Sequence, residues 1–133
     1  MSQYSSSHLA LIGVPSSAGA YAPGQERAPN ALRAVGLLDC FRAHGIAVRD
    51  YGDTPAFRWR IDRESPRAMN AGAVANAARA AAKRVAEALA ADGTALVLGG
   101  DCTVELGTVA GALTACGGES ERVGQSGPSN GRR

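Results

Sequence analysis

The residues best suited by type to do chemistry lie in one short run, Leu98-Gly99-Gly100-Asp101-Cys102-Thr103. An apolar strand-like segment, Ala95 to Leu98, leads into it, and a helix-like segment follows. In open α/β sheets, ligands bind beyond the carboxyl ends of the strands, and this run stands at such an end. Its two glycines permit a sharp turn and a close approach of backbone to ligand. Asp101 or Thr103 can cap the next helix. Cys102, near a helix N-terminus, is placed where the dipole favours a thiolate, which is both a nucleophile and a soft metal ligand. The same residues also describe an ordinary strand-to-helix turn with a buried cysteine. A cysteine nucleophile needs a histidine base. The chain offers only His8 and His44. His44 falls at the end of an upstream helix and reads as its cap, and His8 precedes the first strand and reads as exposed. After Asp101 there is no further aspartate or histidine, and the only acids are Glu105, Glu119 and Glu121. These residues assign no catalytic group and no substrate-binding position.

Other chemistries lack their residues. No G-x-x-x-x-G-K-[ST] run is present, so a P-loop has no support. No G-x-G-x-x-G follows the first strand, because Gly13 and Gly19 are too far apart. The 14 basic residues are scattered among 12 acids for a net charge of +2, which speaks against a nucleic-acid face. No stretch of about 18 apolar residues exists, which excludes a helical membrane span. The polar start, Met1 to His8, lacks the pattern of a secretory signal. Cys40, Cys102 and Cys116, odd in number and widely spaced, read as reduced thiols of a cytoplasmic protein.

The elements that must position the Gly99–Thr103 run alternate in type. Leu9 to Val14 is a short apolar run closed by Pro15, a strand buried on both faces. A Ser/Gly/Ala/Pro loop covers 15–28. Pro29 suits a first helical turn and Gly45 a position just past a helix end, so one helix is expected over about 29–44. Its apolar stripe is Leu32, Val35, Leu38 and Phe41. A strand follows from Ile46 to Tyr51, ending in Gly52-Asp53. Ser65-Pro66 opens the clearest helix, about Ser65 to Asp92. Twelve of residues 71–91 are alanine, the best helix former. Val74, Ala78, Ala81, Val85, Ala88 and Leu89 form its buried stripe. The third strand is Ala95 to Leu98, and the third helix Thr103 to Ala115 buries Val104, Val109, Ala112 and Leu113. The order β-α-β-α-β-α predicts a parallel sheet with right-handed crossovers and flanking helices. From Cys116 the composition shifts. The last 18 residues hold five glycines and three serines, and are expected to be a disordered tail.

Taken together, several segments carry a resemblance. They are Ile12-Gly13-Val14-Pro15; Gly24, Ala28-Pro29, Leu32-Arg33 and Gly36-Leu37; Asp50-Tyr51-Gly52-Asp53; Pro66-Arg67 and Asn70; Leu96 to Asp101; and Leu106-Gly107 with Gly111. In that order and spacing the chain resembles the N-terminal part of the arginase/agmatinase (ureohydrolase) family over about residues 8–115. The resemblance implies an arginase-like α/β three-layer sandwich of which about the first three strands are present. It divides the chain into a partial domain, 1–115, and a tail outside the family pattern, 116–133.

Members of that family hydrolyse guanidino or amidino C–N bonds of small molecules with two manganese ions that activate a hydroxide. They are commonly oligomers. The resemblance puts Cys102 where the family has its first histidine ligand, so the metal position is present but substituted. The later D-A-H-x-D and D-x-D ligand segments are missing. A lone thiolate is a soft ligand, matched to zinc or copper better than to manganese. The expected reading is therefore a ureohydrolase-type chain, truncated and inactive, with manganese binding doubtful. Loss of the reading frame near codons 115–118 is the expected cause. The alternatives are a non-catalytic fragment that associates with a full-length relative, or a thiol-based enzyme using Cys102.

Overall fold

The computed structural model describes residues 8–91 and 93–124. Three strands, β1 (Leu9–Val14), β2 (Val48–Asp53) and β3 (Thr94–Gly99), form a parallel sheet in the order β2-β1-β3. The expected parallel α/β sheet with flanking helices is therefore present. β1 is central, and Ala10, Leu11, Ile12 and Val14 are fully buried, as an apolar run covered on both faces should be. β2 begins two residues later than its apolar start suggested and runs through Gly52-Asp53. Pairing with β1 slips between Leu11 and Gly13, where Gly52 takes φ +74°. That is a bulge in which a glycine absorbs the left-handed residue.

The helix expected over 29–44 is two helices, α1 (Ala28–Ala34) and α2 (Leu37–Ala43), after a short 3-10 turn at Gln25–Arg27. Gly36, at φ +85°, breaks it. The break rotates the expected stripe apart, so that Val35 is 81% exposed and Leu38 and Phe41 are half-buried. Gly45 does close α2 with a positive φ of 76°.

Helix α3 spans Ala71–Ala90, and Asn70 stands at its N-cap position with φ +55°. Ser65-Pro66 lies in a preceding turn, because Asp62 has captured the local amides instead. Its carboxylate accepts from Glu64 N, Ser65 N and Asn70 N at 3.1–3.2 Å. Ala81, Val85 and Ala88 are buried as expected, together with Ala77, whereas Val74, Ala78 and Leu89 are half-buried. The core cluster joins Ala81, Val85 and Ala88 to Ala10, Ile12, Val14 and Val104.

Helix α4, expected to end at Ala115, runs from Val104 to Gly124. A nucleated, docked helix extends at one hydrogen bond per residue, which carries it past the composition change. Residues 125–133 of the expected tail lie outside the described residues. Arg84, on one flank of α3, donates to the Tyr51 carbonyl of β2 at 2.6 Å. The opposite flank of α3 receives α4, with Gly107 against Ala78 and Ala81, and Gly111 against Ala82 and Val85. The glycine face of α4 is thus its buried face. Of the expected positions, Val104 is buried, but Val109 and Leu113 are 51% and 67% exposed.

Candidate functional site

All three strands point their carboxyl ends at one edge, and the loops leaving them meet there. After β1 the chain runs through Pro15, Ser16, Ser17 and Ala18, all buried. After β3 it runs through Gly100 and Asp101, and after β2 through Thr54 to Phe57. Asp101 N donates to the Ser16 carbonyl at 3.0 Å. A side chain at Gly100 would strike that same Ser16 backbone, so the glycine is required by close approach. Ser17 N donates to the Phe57 carbonyl, and Phe57 N to the Pro15 carbonyl, both at 2.9 Å. Trp59 N donates to Ser17 Oγ at 2.8 Å.

Asp101 is the organising side chain, 8% exposed. Its Oδ2 accepts from Gly19 N at 2.9 Å, and its Oδ1 accepts from Thr103 N at 2.8 Å and from the Thr103 hydroxyl. A buried carboxylate with three donors is satisfied and fixed. It caps the start of α4 and ties the β1 loop to the β3 loop. Cys102 follows it directly and is exposed, as are Cys40 and Cys116, so the expectation of a buried cysteine in this turn is corrected. The turn is held by Asp101, which faces inward, and the next side chain is left facing outward.

A second polar cluster stands at the end of β2. Arg33 of α1 donates from Nε and Nη2 to the two oxygens of Asp50, both at 2.9 Å, and from Nη1 to Asp53 Oδ1 at 2.5 Å. The guanidinium holds the Asp50 carboxyl below the usual carboxylate range, chiefly through these hydrogen bonds, and the pair raises Arg33 in turn. Asp53 also presses on Gly13, where any side chain would meet its carboxylate. Asp50-Tyr51-Gly52-Asp53 and Arg33, separate segments in the sequence, are thus one clamp between α1 and the sheet.

The histidines stand at the other edge. His44 Nδ1 lies 2.8 Å from the Cys40 carbonyl at the end of α2, which confirms it as a helix-end residue. His8 is half-buried and not exposed. Its ring stacks on Tyr51, with Nε2 3.3 Å from the Tyr51 hydroxyl. Both precede strands that run away from them, and six extended residues place the Cys102 edge about 17 Å further on. No histidine therefore reaches Cys102 as a base.

The donor set can be tested against the two manganese ions that the resemblance implies. Such ions take several oxygen and imidazole ligands. Asp101 already holds three donors on its two oxygens, tying the β1 and β3 loops together, and Cys102 offers a single thiol. Among the described residues no group of three or more His, Cys, Asp and Glu side chains could hold a metal ion. The residues present do not fit a two-manganese centre. Reading the sequence missed Ser16 and Ser17, and the one available signal was their position directly after a buried strand. Among the described residues no helix is long and apolar enough to cross a membrane.

Comparison with known proteins identifies the setting of this edge. A model described as "Arginase family" matches residues 7–123, which extends past the composition change at Cys116. Arginase-1 of Homo sapiens is 34% identical over 103 residues, covering 77% of this chain and 32% of that protein. Arginase-1 of Sus scrofa is 34% identical over 108 residues, covering 81% of this chain and 34% of that one. The crystal structure of arginase from Bacillus cereus superposes with a TM-score of 0.69 at 30% identity, covering 81% of this chain and 35% of that structure. Arginase from Bacillus subtilis gives 0.68 at 28% identity, covering 80% and 34%. The chain spans about a third of the length of these relatives. With a family model matched along nearly all of its described length, and a sheet that superposes on solved arginases, the chain belongs to the arginase family.

Proposed function

We propose that the chain forms the front edge of a hydrolase site for guanidino or amidino C–N bonds of small molecules, in the manner of an arginase or agmatinase, and that on its own it does not catalyse. The observation that carries this is the Gly99-Gly100-Asp101-Cys102 turn. Asp101 locks it at the carboxyl edge of the sheet and Cys102 faces out, at the position where the resemblance places a histidine ligand. Manganese belongs to the proposal only for the complete site, because the described residues do not supply it. The three free thiols suit a cytoplasmic setting.

Two measurements test this. The purified chain, supplied with manganese and arginine, agmatine or guanidinobutyrate, is expected to release no urea, and turnover would refute the claim of inactivity. A chimera in which the chain replaces the matching third of Bacillus subtilis arginase is expected to release urea once Cys102→His is made, and much less with Cys102 retained. A folded chimera that is equally inactive with either residue would remove the reading of this edge as the front of the site.

A second reading, a non-catalytic fragment that associates with a relative or with its own copy, is favoured by one face. β2 blunts its sheet edge with Arg49, Asp50 and Asp53, but β3 carries no charge at all. On the α4 side Leu106, Val109 and Leu113 are 61%, 51% and 67% exposed. Light scattering of the purified chain checks this reading. Association that Leu106→Glu with Leu113→Glu abolishes supports pairing with its own copy, and a monomer at high concentration refutes that pairing.

A further inference from the structure

The loop that follows β2 does not lie flat on α3. It leaves a cleft of about 390 Å³, within the size range of small-molecule sites, along the flank of α3 that faces away from α4. Phe57 forms one wall. Ala73, Ala77 and Ala80, spaced at one helical face, form the other, and Arg60 and Asn76 supply the polar groups. Ala73 to Ala80 covers about 10 Å of helix, enough for a short aliphatic chain.

The cleft is preformed. Phe57 is pinned by its backbone bonds to Pro15 and Ser17, and the Arg60 carbonyl accepts from Asn70 Nδ2 at 3.0 Å. The Asp62 carboxylate is filled by the amides of Glu64, Ser65 and Asn70. The Arg60 guanidinium sits 5.2 Å from the centre of the Phe57 ring, and among the described residues it makes no ion pair. The segment from Arg58 to Arg67 sets four arginines against two acids, a net of +2, and among the described residues Asp62 pairs with none of those arginines. An apolar trough with a positioned, unpaired guanidinium at its mouth complements an anion that carries a hydrocarbon tail.

We propose that this cleft binds a short-chain aliphatic carboxylate, the tail lying along Ala73, Ala77 and Ala80 and the carboxylate paired with Arg60. The cleft shares Phe57 with the loops of the Asp101 edge but uses neither Asp101 nor Cys102. The probe is hexanoate, titrated into the full chain by calorimetry and followed by amide NMR shifts. Saturable binding is expected, with shifts centred on Phe57, Arg60 and Ala73 to Ala80. Arg60→Gln is expected to weaken binding about tenfold, the loss typical of a charge-assisted pair. Ala73→Leu, which fills the trough at a half-buried position, is expected to abolish it. Should Ala73→Leu fail to fold, the surface change Arg60→Gln decides alone. The proposal is overturned if hexanoate does not saturate, if hexylamine binds as well as hexanoate, or if Arg60→Gln leaves the affinity unchanged.

Discussion

Replacing Gly111 by alanine should destabilise the chain, whereas the same change at Gly72 should stabilise it. Both residues are in helices, where alanine is ordinarily favoured over glycine by about 1 kcal/mol. At Gly111 the new methyl carbon would lie 2.5 Å from the Ala82 carbonyl oxygen and 2.8 Å from Val85 Cβ. Ordinary contacts of this kind begin near 3.4 Å, so α4 would have to withdraw by roughly 1 Å, and overpacking of this sort costs about 1–3 kcal/mol. Gly107, one turn earlier, meets the backbone of Ala78 in the same way, so a retreat at Gly111 loosens both contacts. After the helix-propensity gain of about 1 kcal/mol is subtracted, Gly111→Ala should lose up to about 2 kcal/mol. Nothing lies within 4 Å of a side chain placed at Gly72, in the first turn of α3. Gly72→Ala should gain about 0.5 kcal/mol there, where propensity counts for less. Urea unfolding followed by far-ultraviolet circular dichroism should separate the two variants by up to about 2.5 kcal/mol, and thermal midpoints by up to roughly 10 °C. A Gly111→Ala protein as stable as Gly72→Ala would refute the claim that α4 is seated on its glycine face.

Two further outcomes follow from polar groups. Arg33→Ala should cost about 1 kcal/mol at neutral pH, a charged clamp discounted for its partial exposure, as read from urea midpoints. Because Arg33 depresses the folded-state pKa of Asp50, the clamp's contribution is fully present above the unfolded value near pH 4 and lost as pH falls through the lower folded value. The stability of Arg33→Ala should therefore fall less steeply below pH 4 than that of the parent chain, and parallel acid limbs would contradict the pairing. Thr54 is buried and, among the described residues, its hydroxyl has no hydrogen-bond partner. Thr54→Val keeps the shape and removes the unsatisfied group, so a gain of about 1 kcal/mol is expected. A loss in the same unfolding assay would show that the hydroxyl is bonded.

The strands and the long helix were legible in the residues because their signals are local. Leu9–Val14 is apolar throughout and coincides with β1, and the alanine-rich run became α3. Ends and breaks were less legible because they depend on competition. Gly36 outweighed the three-residue apolar spacing of 29–44, and Asp62, three residues before Ser65, drew the amides of Ser65 and Asn70 into a turn that delays the helix to Ala71. At the site, the residue types alone located the Gly99–Thr103 turn and exposed the shortage of later aspartate and histidine. They could not show which side chain of that turn faces inward. That depends on Gly19 and Ser16, brought from the other end of the chain by the pairing of β1 with β3.

What the sequence determined by itself was the alternation of strands and helices that makes a parallel α/β chain and, through the order and spacing of its motifs, a resemblance to the arginase family. Both are carried by local signals along the chain, which need no tertiary contact to be read. What only the tertiary structure decided was direction. Asp101 turns in and accepts three hydrogen bonds while Cys102 turns out. Arg33 joins Asp50 and Asp53 into one clamp. The glycines of α4, and not its leucines, meet α3, because the two helices can approach this closely only where α4 presents no Cβ, and that choice leaves Leu106, Val109 and Leu113 facing outward.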